Sequence, residues 1–234
     1  MRQLNNKCLN QVNIGDIIQF GNYHGVIDWL VLDKCDNKLL IVTRDCIDSL
    51  PYDSQHGACF WRFSSLREWL NNGFIKETFS EDEQKSINST KILIDDVSAT
   101  IDKVFLLSFK ECSEYFYRDK VKNAVINYLT DNGIVHNSKK APKGTFGSGD
   151  YCLICLPSKY AIQRESDDSV LPLSEWWLRS TKHISDKELK SYNFDDLQDD
   201  NFACAPQIDS DGDYSEYCVE FEVGIRPAMW ICIS

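Results

Sequence analysis

Apolar and polar positions alternate through the first fifth of the chain. Asp16–Phe20, Val26–Asp33 and Lys38–Cys46 are rich in Ile, Val, Leu and Trp, and the turn pairs Gly21-Asn22 and Asp36-Asn37 separate them. A period of two bounded by such turns predicts three antiparallel strands joined by short loops. Past Trp61 the period lengthens to that of a helix. Ser65-Leu66-Arg67-Glu68, Ser80-Glu81-Asp82-Glu83 and Ser108-Phe109-Lys110-Glu111 each have the form of a capping box, in which the serine oxygen accepts from the glutamate N–H and the glutamate reaches back. They predict a helix with Leu66, Trp69, Leu70 and Phe74 inward, a shorter one reaching Ile87, and a third running through Phe116. A fourth is predicted over Val121–Leu129, with Val121, Ala124, Val125, Tyr128 and Leu129 on one face. Lys103–Leu107 reads as a strand. In the last third, Glu175–Arg179, Ala203–Asp209, Tyr217–Val223 and Arg226–Ile231 read as short strands between irregular loops. His136–Asp150 reads as a surface loop.

No repeat and no linker divides the chain. Its 234 residues suit a single α+β domain over 15–234, preceded by a polar tail over 1–14. No run approaches the ~20 apolar residues of a membrane span. Nor does the tail carry the apolar core of a secretory leader, so the expected location is the cytoplasm, unless a leader was removed. The ten cysteines are scattered, and several lie within apolar runs, so they read as buried thiols in a reducing compartment.

Charge changes the picture. The chain carries a net −11, and between Thr181 and Glu222 twelve acids face three lysines, which accounts for −9 of it. Such a patch repels nucleic-acid phosphates and attracts cations or basic partners; a simply solvated face is the alternative. Within it, Asp209, Asp211, Asp213, Ser215 and Glu220 occupy positions 1, 3, 5, 7 and 12 of an EF-hand-like ladder. That makes Asp209, Asp211, Asp213 and Glu220 candidate calcium ligands. Against this stand Tyr214, where the sharp turn needs glycine, and strand-like flanks. The competing expectation is a hairpin tip at Asp211-Gly212.

Other constellations carry less. Gly144-Thr-Phe-Gly147-Ser-Gly149 lacks the Gly-Lys-Ser/Thr ending of a phosphate loop. Cys152-Leu-Ile-Cys155 lacks both the helix start of a redox motif and the second pair of a zinc site, so buried strand cysteines are expected. His24, His56, His136 and His183 are isolated in sequence, and no nucleophile elbow occurs.

Two segments carry a family resemblance. Phe63-Ser64-Ser65-Leu66-Arg67-Glu68-Trp69-Leu70-Asn71 is followed by Phe74 and Phe79–Glu83. Trp176-Trp177-Leu178-Arg179-Ser180 is followed much later by Gly224-Ile225-Arg226-Pro227-Ala228-Met229-Trp230. With Lys103–Ser108 between them, the order resembles a bacterial and phage domain of unknown function, related to the formylglycine-generating-enzyme branch of C-type-lectin-like folds. The resemblance implies a C-type-lectin-like single domain with antiparallel strands and about four helices. Some proteins of that fold are targets of diversity-generating retroelements and display variable ligand contacts near the C-terminus; a gene without a neighbouring template repeat or reverse transcriptase would argue against that role here. The matching interval, Thr181–Val223, is rich in Asn, Asp, Ser and Tyr, a composition suited to adaptable contact surfaces.

Trp176 and Trp177, adjacent on a strand, are expected on opposite faces, one in the core and one behind the loops. Arg179 and Arg226 are expected to satisfy loop carbonyls or a carboxylate. The leading functional expectation is a non-enzymatic binding module for a protein or other macromolecular ligand of basic character, with no nucleic acid or membrane as partner. Its expected contacts are Tyr192, Asn193, Asp195, Asn201, Asp211 and Tyr214. Two alternatives stay open. One is a cysteine-dependent oxidase related to formylglycine-generating enzymes, which use a C-terminal cysteine pair; Cys204 and Cys218 would be the candidates. The other is an accessory protein of a phage or defence system.

Overall fold

The computed structural model describes residues 2–3, 11–54, 60–93, 99–135, 151–164, 174–179 and 204–233. Three antiparallel strands, Ile17–Asn22 (β2), Val26–Cys35 (β3) and Lys38–Thr43 (β4), form where alternation predicts them. Arg2–Gln3 (β1) pairs parallel with β2 on one side, and Ala228–Cys232 (β12) pairs antiparallel with β4 on the other. The ends of the chain thus meet in one five-stranded sheet of order β1-β2-β3-β4-β12. Trp29–Leu32 and Leu39–Val42 are almost wholly buried, which is the mark of a sheet covered on both faces. Phe79 lies on it, with ring centroids 5.0 Å from Phe20 and 6.4 Å from Trp29.

A second five-stranded sheet has the order β10-β9-β8-β11-β5. Its members are Asp48–Pro51 (β5), Trp176–Trp177 (β8), Cys204–Ile208 (β9), Tyr214–Cys218 (β10) and Glu222–Ile225 (β11). All pairings within it are antiparallel except β8 with β11. A separate hairpin joins Thr90–Leu93 (β6) to Ala99–Asp102 (β7). One continuous apolar core runs from Val12 to Ile233 and joins both large sheets.

The helices follow their caps. Ser80 and Ser108 each make a complete capping box, opening Glu81–Ser86 (α3) and Phe109–Tyr115 (α4). The first helix departs from expectation. Its N-cap is Ser64, whose oxygen accepts from Arg67 N, because the Ser65 hydroxyl already receives Ser54 N at 2.9 Å. Ser65–Trp69 (α1) and Ile75–Thr78 (α2) are the two ends of one helical run, joined through a wider π turn at Leu70–Phe74. Within that turn, Asn71 donates to Val104 O at 2.8 Å and accepts from Lys103 N at 2.8 Å, pinning the helix to the neighbouring extended segment. Asp119–Asp131 (α5) buries Val121, Val125 and Leu129 of the predicted face, with Ile126 added and Ala124 and Tyr128 only partly buried. Lys159–Arg164 (α6) brings the helical runs among the described residues to five, one more than expected.

Several strand expectations need correction. Lys103–Leu107 is extended and buried, but it touches the first sheet through a single bridge, Phe105 to Ala228. Tyr217–Val223 is interrupted: the chain turns after Cys218, with Phe221 N donating to Cys218 O at 3.2 Å, and only then enters β11. Trp176 and Trp177, adjacent on β8, are both fully buried. Trp176 donates to Leu153 O at 3.0 Å and Trp177 to Leu50 O at 2.9 Å.

Candidate functional site

The motif residues build a rigid frame. Gly224 pairs with Trp176 at the only parallel step of the second sheet, and a Cβ there would lie 2.4 Å from Glu175 O and 2.8 Å from Cys46 Sγ. Only glycine allows so close a pairing of β8 and β11. Arg179 is buried and meets both kinds of expected partner, although its Nε makes no hydrogen bond among the described residues: it donates to Leu106 O at 2.8 Å and forks onto Glu111, the residue that also closes the α4 capping box. Arg226 is resolved differently. Its Nε donates to Thr43 O at 3.0 Å and its Nη2 to Arg44 O at 3.3 Å. Its guanidinium lies 4.7 Å from the Phe116 ring centroid and 5.0 Å from that of Trp176, so aromatic faces screen its charge.

Beside this frame lies a buried thiol pair. Cys46 and Cys155 place their sulfurs 3.4 Å apart, and both are almost completely buried. Burial raises the Cys46 pKa well above the ordinary thiol range. Burial also opposes ionisation of Cys155, but the Cys46 S–H and then the positive Arg226 outweigh it and lower its pKa. Cys152 is buried too, as expected, but it lies in a turn rather than a strand, and Cys155 makes only an isolated bridge to Ser174.

The frame supports the hairpin of β9 and β10, whose tip carries the acidic ladder. Asp209 Oδ1 accepts from Asp211 N at 3.0 Å and Asp213 N at 2.9 Å, and Gly212 takes φ +87°. The side chain of Asp209 thus replaces backbone partners within the turn. Three of the four candidate calcium ligands, Asp209, Asp211 and Asp213, share this turn without their side chains forming a group suited to a metal ion. Glu220 does not join them. It lies past the other end of β10, about 17 Å along the strand at the usual rise per residue. Among the described residues, no three His, Cys, Asp or Glu side chains form a group suited to a metal ion.

Of the expected contact residues, Asp211 is exposed at the tip. Tyr214 is half-buried, edge-on to Phe109 at 5.1 Å, with its hydroxyl donating to Glu216 at 2.9 Å. Tyr192, Asn193, Asp195 and Asn201 lie outside the described residues, as do His136–Asp150, with the glycine-rich stretch, and the 181–203 part of the acidic interval. Two surface aromatics escaped the sequence reading. Tyr217 (41% exposed) and Phe221 (56% exposed) lie with ring centroids 5.4 Å apart, beside Glu216 and Glu220. Their place in an alternating run made them look like strand residues, and the turn at Val219 turns them outward instead.

A concave site, also unread in the sequence, opens at the far side of the first sheet. Its volume is about 260 Å3, and it lies between the β2–β3 turn, Arg44–Ile47 and the start of α6. His24, at φ +51°, stacks flat on Tyr160 with centroids 3.7 Å apart. Tyr23 donates to Asp48 at 2.6 Å; burial and that hydrogen bond push its pKa far up, so the phenol stays protonated. Arg44 bridges Asp28 at 2.8 Å and Asp45 at 3.0 Å, and Tyr128 donates to Asp45 at 2.8 Å. Burial works against the Arg44 charge, but Asp45 outweighs it and the pKa rises. The wall is therefore aromatic and carries its charges in fixed pairs. These side chains come from four separated segments, so no local motif could announce them.

Fold and site together define a mixed α+β single domain, with a braced frame supporting an acidic, aromatic hairpin. No helix among the described residues is long and apolar enough to cross a membrane. Residues 36–233 match the family model described as Domain of unknown function (DUF6273), and the chain belongs to that family. No curated protein and no solved structure matches it at a significant level.

Proposed function

We propose that this chain is a non-enzymatic binding module, a C-type-lectin-like scaffold that presents its C-terminal hairpin face to a basic protein or other basic macromolecule. One observation carries the proposal: Tyr217 and Phe221 are held outward as a contacting pair on a sheet whose interior is fully packed, within the stretch of sequence that carries most of the net negative charge. Exposed aromatics on a rigid base give contact area at little entropic cost, and neighbouring carboxylates select the sign of the partner's charge. The resemblance of the Trp176–Arg179 and Gly224–Trp230 segments supports the lectin-like assignment, and it would make Thr181–Val223 the interval that differs among retroelement-diversified members.

The test is titration of the full chain with a labelled lysine-rich peptide and, in parallel, a glutamate-rich one, read by fluorescence anisotropy. The basic peptide binds more tightly, and its affinity falls by about tenfold or more in a Tyr217→Ser, Phe221→Ser double variant that melts at the wild-type temperature. Equal affinity for both peptides, or no change in the variant, defeats the proposal.

A further inference from the structure

Two cysteines oppose each other at the open end of the β9–β10 hairpin, where Cys218 is the register partner of Cys204. The phase of the ladder fixes what kind of partner. Asp209 N donates to Asp213 O at 2.8 Å, so hydrogen-bonded pairs recur at Gln207–Ser215 and Ala205–Tyr217. The alternate pairs, Pro206–Glu216 and Cys204–Cys218, are the non-hydrogen-bonded kind. Pro206 agrees with this phase, since it has no N–H to give, and its carbonyl turns the other way to accept Leu178 N at 2.8 Å. In such a pair the Cα atoms lie about 4.5 Å apart and the side chains approach closely, within the range that a disulfide spans.

Access separates this pair from Cys46–Cys155. Those two sulfurs also lie close together, but they are sealed in the core, whereas Cys204 is exposed and Cys218 is partly so. We propose that Cys204 and Cys218 are a reversible oxidation site, closed by exchange with a low-molecular-weight disulfide such as oxidised glutathione. The Cys204 thiolate attacks one sulfur of the small disulfide, whose S–S bond breaks and whose other half leaves as a thiolate. The Cys218 thiolate then attacks the Cys204 sulfur, and the second small thiolate leaves. The protein gives up two electrons, and the two protons lost from its thiols end on the released small thiols. The new bond ties the open end of the hairpin, so the acidic tip stands on a closed ring. A short, exposed cross-strand link is of the readily reduced type. Partial burial, with Cys218 and Glu216 adding to it, raises the Cys204 pKa, so closure is slow at neutral pH and accelerates above the ordinary thiol range.

The test equilibrates the full chain with oxidised glutathione, quenches with acid, alkylates the remaining thiols, and maps peptides by mass without reduction. The expected product is a peptide pair joined through Cys204 and Cys218, lighter than its parts by two hydrogens and released by reduced glutathione. The Cys218→Ser variant instead accumulates glutathione on Cys204, since nothing resolves the mixed disulfide. Both cysteines alkylated after equilibration, stable glutathione on each in the wild type, or Cys204 joined to a different cysteine would overturn the proposal.

Discussion

Around Arg226, packing and polar pairing meet inside the protein: two carbonyls accept from the guanidinium, two aromatic rings lie against it, and Gly224 brings β11 into contact with Glu175. At the tip of the β9–β10 hairpin, pairing is local. Asp209 holds the amides of Asp211 and Asp213, and Asp211 is exposed. Both regions belong to one pair of adjoining sheets, yet the first takes its geometry from residues far away in sequence and the second from residues two to four positions away. Substitutions at the tip should therefore be tolerated, while substitutions in the frame should propagate.

The largest effect belongs to the frame. Trp176→Ala removes the fully buried indole that backs Arg226 and strands Leu153 O, so a loss of about 3–5 kcal/mol is expected. Arg226 sharpens the point. Arg226→Ala leaves a cavity and removes the guanidinium donors to Thr43 O and Arg44 O, for about 3 kcal/mol or more. Arg226→Met removes the same donors but fills the space and takes away the buried charge, so it should lose less than Ala. Urea denaturation should place Met well above Ala. Equal losses would mean that charge, rather than volume, holds the frame together.

Alkaline pH should act on the frame and the first sheet before it acts on the tip. An unfolded tyrosine ionises near pH 10, whereas burial, with Glu114 next, raises Tyr115 to about 12; burial raises Tyr23 and Tyr128 as well. Between these values the unfolded chain has released protons that the folded chain retains, so each step upward favours unfolding. The stabilisation from the neutral phenols is complete below pH 10 and is lost as pH rises toward and through the folded values. Melting temperatures measured from pH 9 to 12 should fall steeply above 10, and a flat profile would contradict the burial of these rings.

Much of the frame was legible in the sequence because its signals are local or periodic. Ser80–Glu83 and Ser108–Glu111 have the spacing of a reciprocal cap, and the face of α5 follows its period. What failed depended on distant partners. Ser64 displaces Ser65 as N-cap because Ser54 claims the Ser65 hydroxyl, and both tryptophans are buried because the sheet is covered twice. Asp48–Pro51 becomes a strand only through β11, and the short α6 has Ser158 as a cap, its oxygen accepting Ala161 N at 3.2 Å, but no glutamate to complete a box. The turn at Val219–Phe221 contains neither Gly nor Pro, so alternation ran through it unbroken. The His24–Tyr160 cleft joins three segments and has no spacing to read.

At the tip the expected effects are smaller. Asp209→Ala removes two local hydrogen bonds at an exposed turn and should cost about 1 kcal/mol, read as a shift in the urea midpoint. The same turn sets the expectation for calcium. Asp209, Asp211 and Asp213 share that turn, but their side chains do not form a metal-suited group and the bidentate glutamate of an EF-hand is missing because Glu220 lies past the other end of the strand. Calorimetric titration should therefore find binding no tighter than the roughly millimolar class of weak calcium sites. Micromolar affinity would mean that the turn recruits a further ligand, and Asp211→Ala with Asp213→Ala would then abolish it.

The smallest effect on stability, and the one that best separates the two regions, belongs to Tyr217 and Phe221. Their rings touch each other and are about half exposed, so the double change to serine removes only modest buried area. Its cost should stay within about 0.5 kcal/mol, as for surface positions generally. A loss of several kcal/mol would make the pair part of the core and remove the reason to regard it as a contact surface. An unchanged urea midpoint with weakened binding to the basic peptide would separate support from display: the frame keeps the fold, and the hairpin meets the partner.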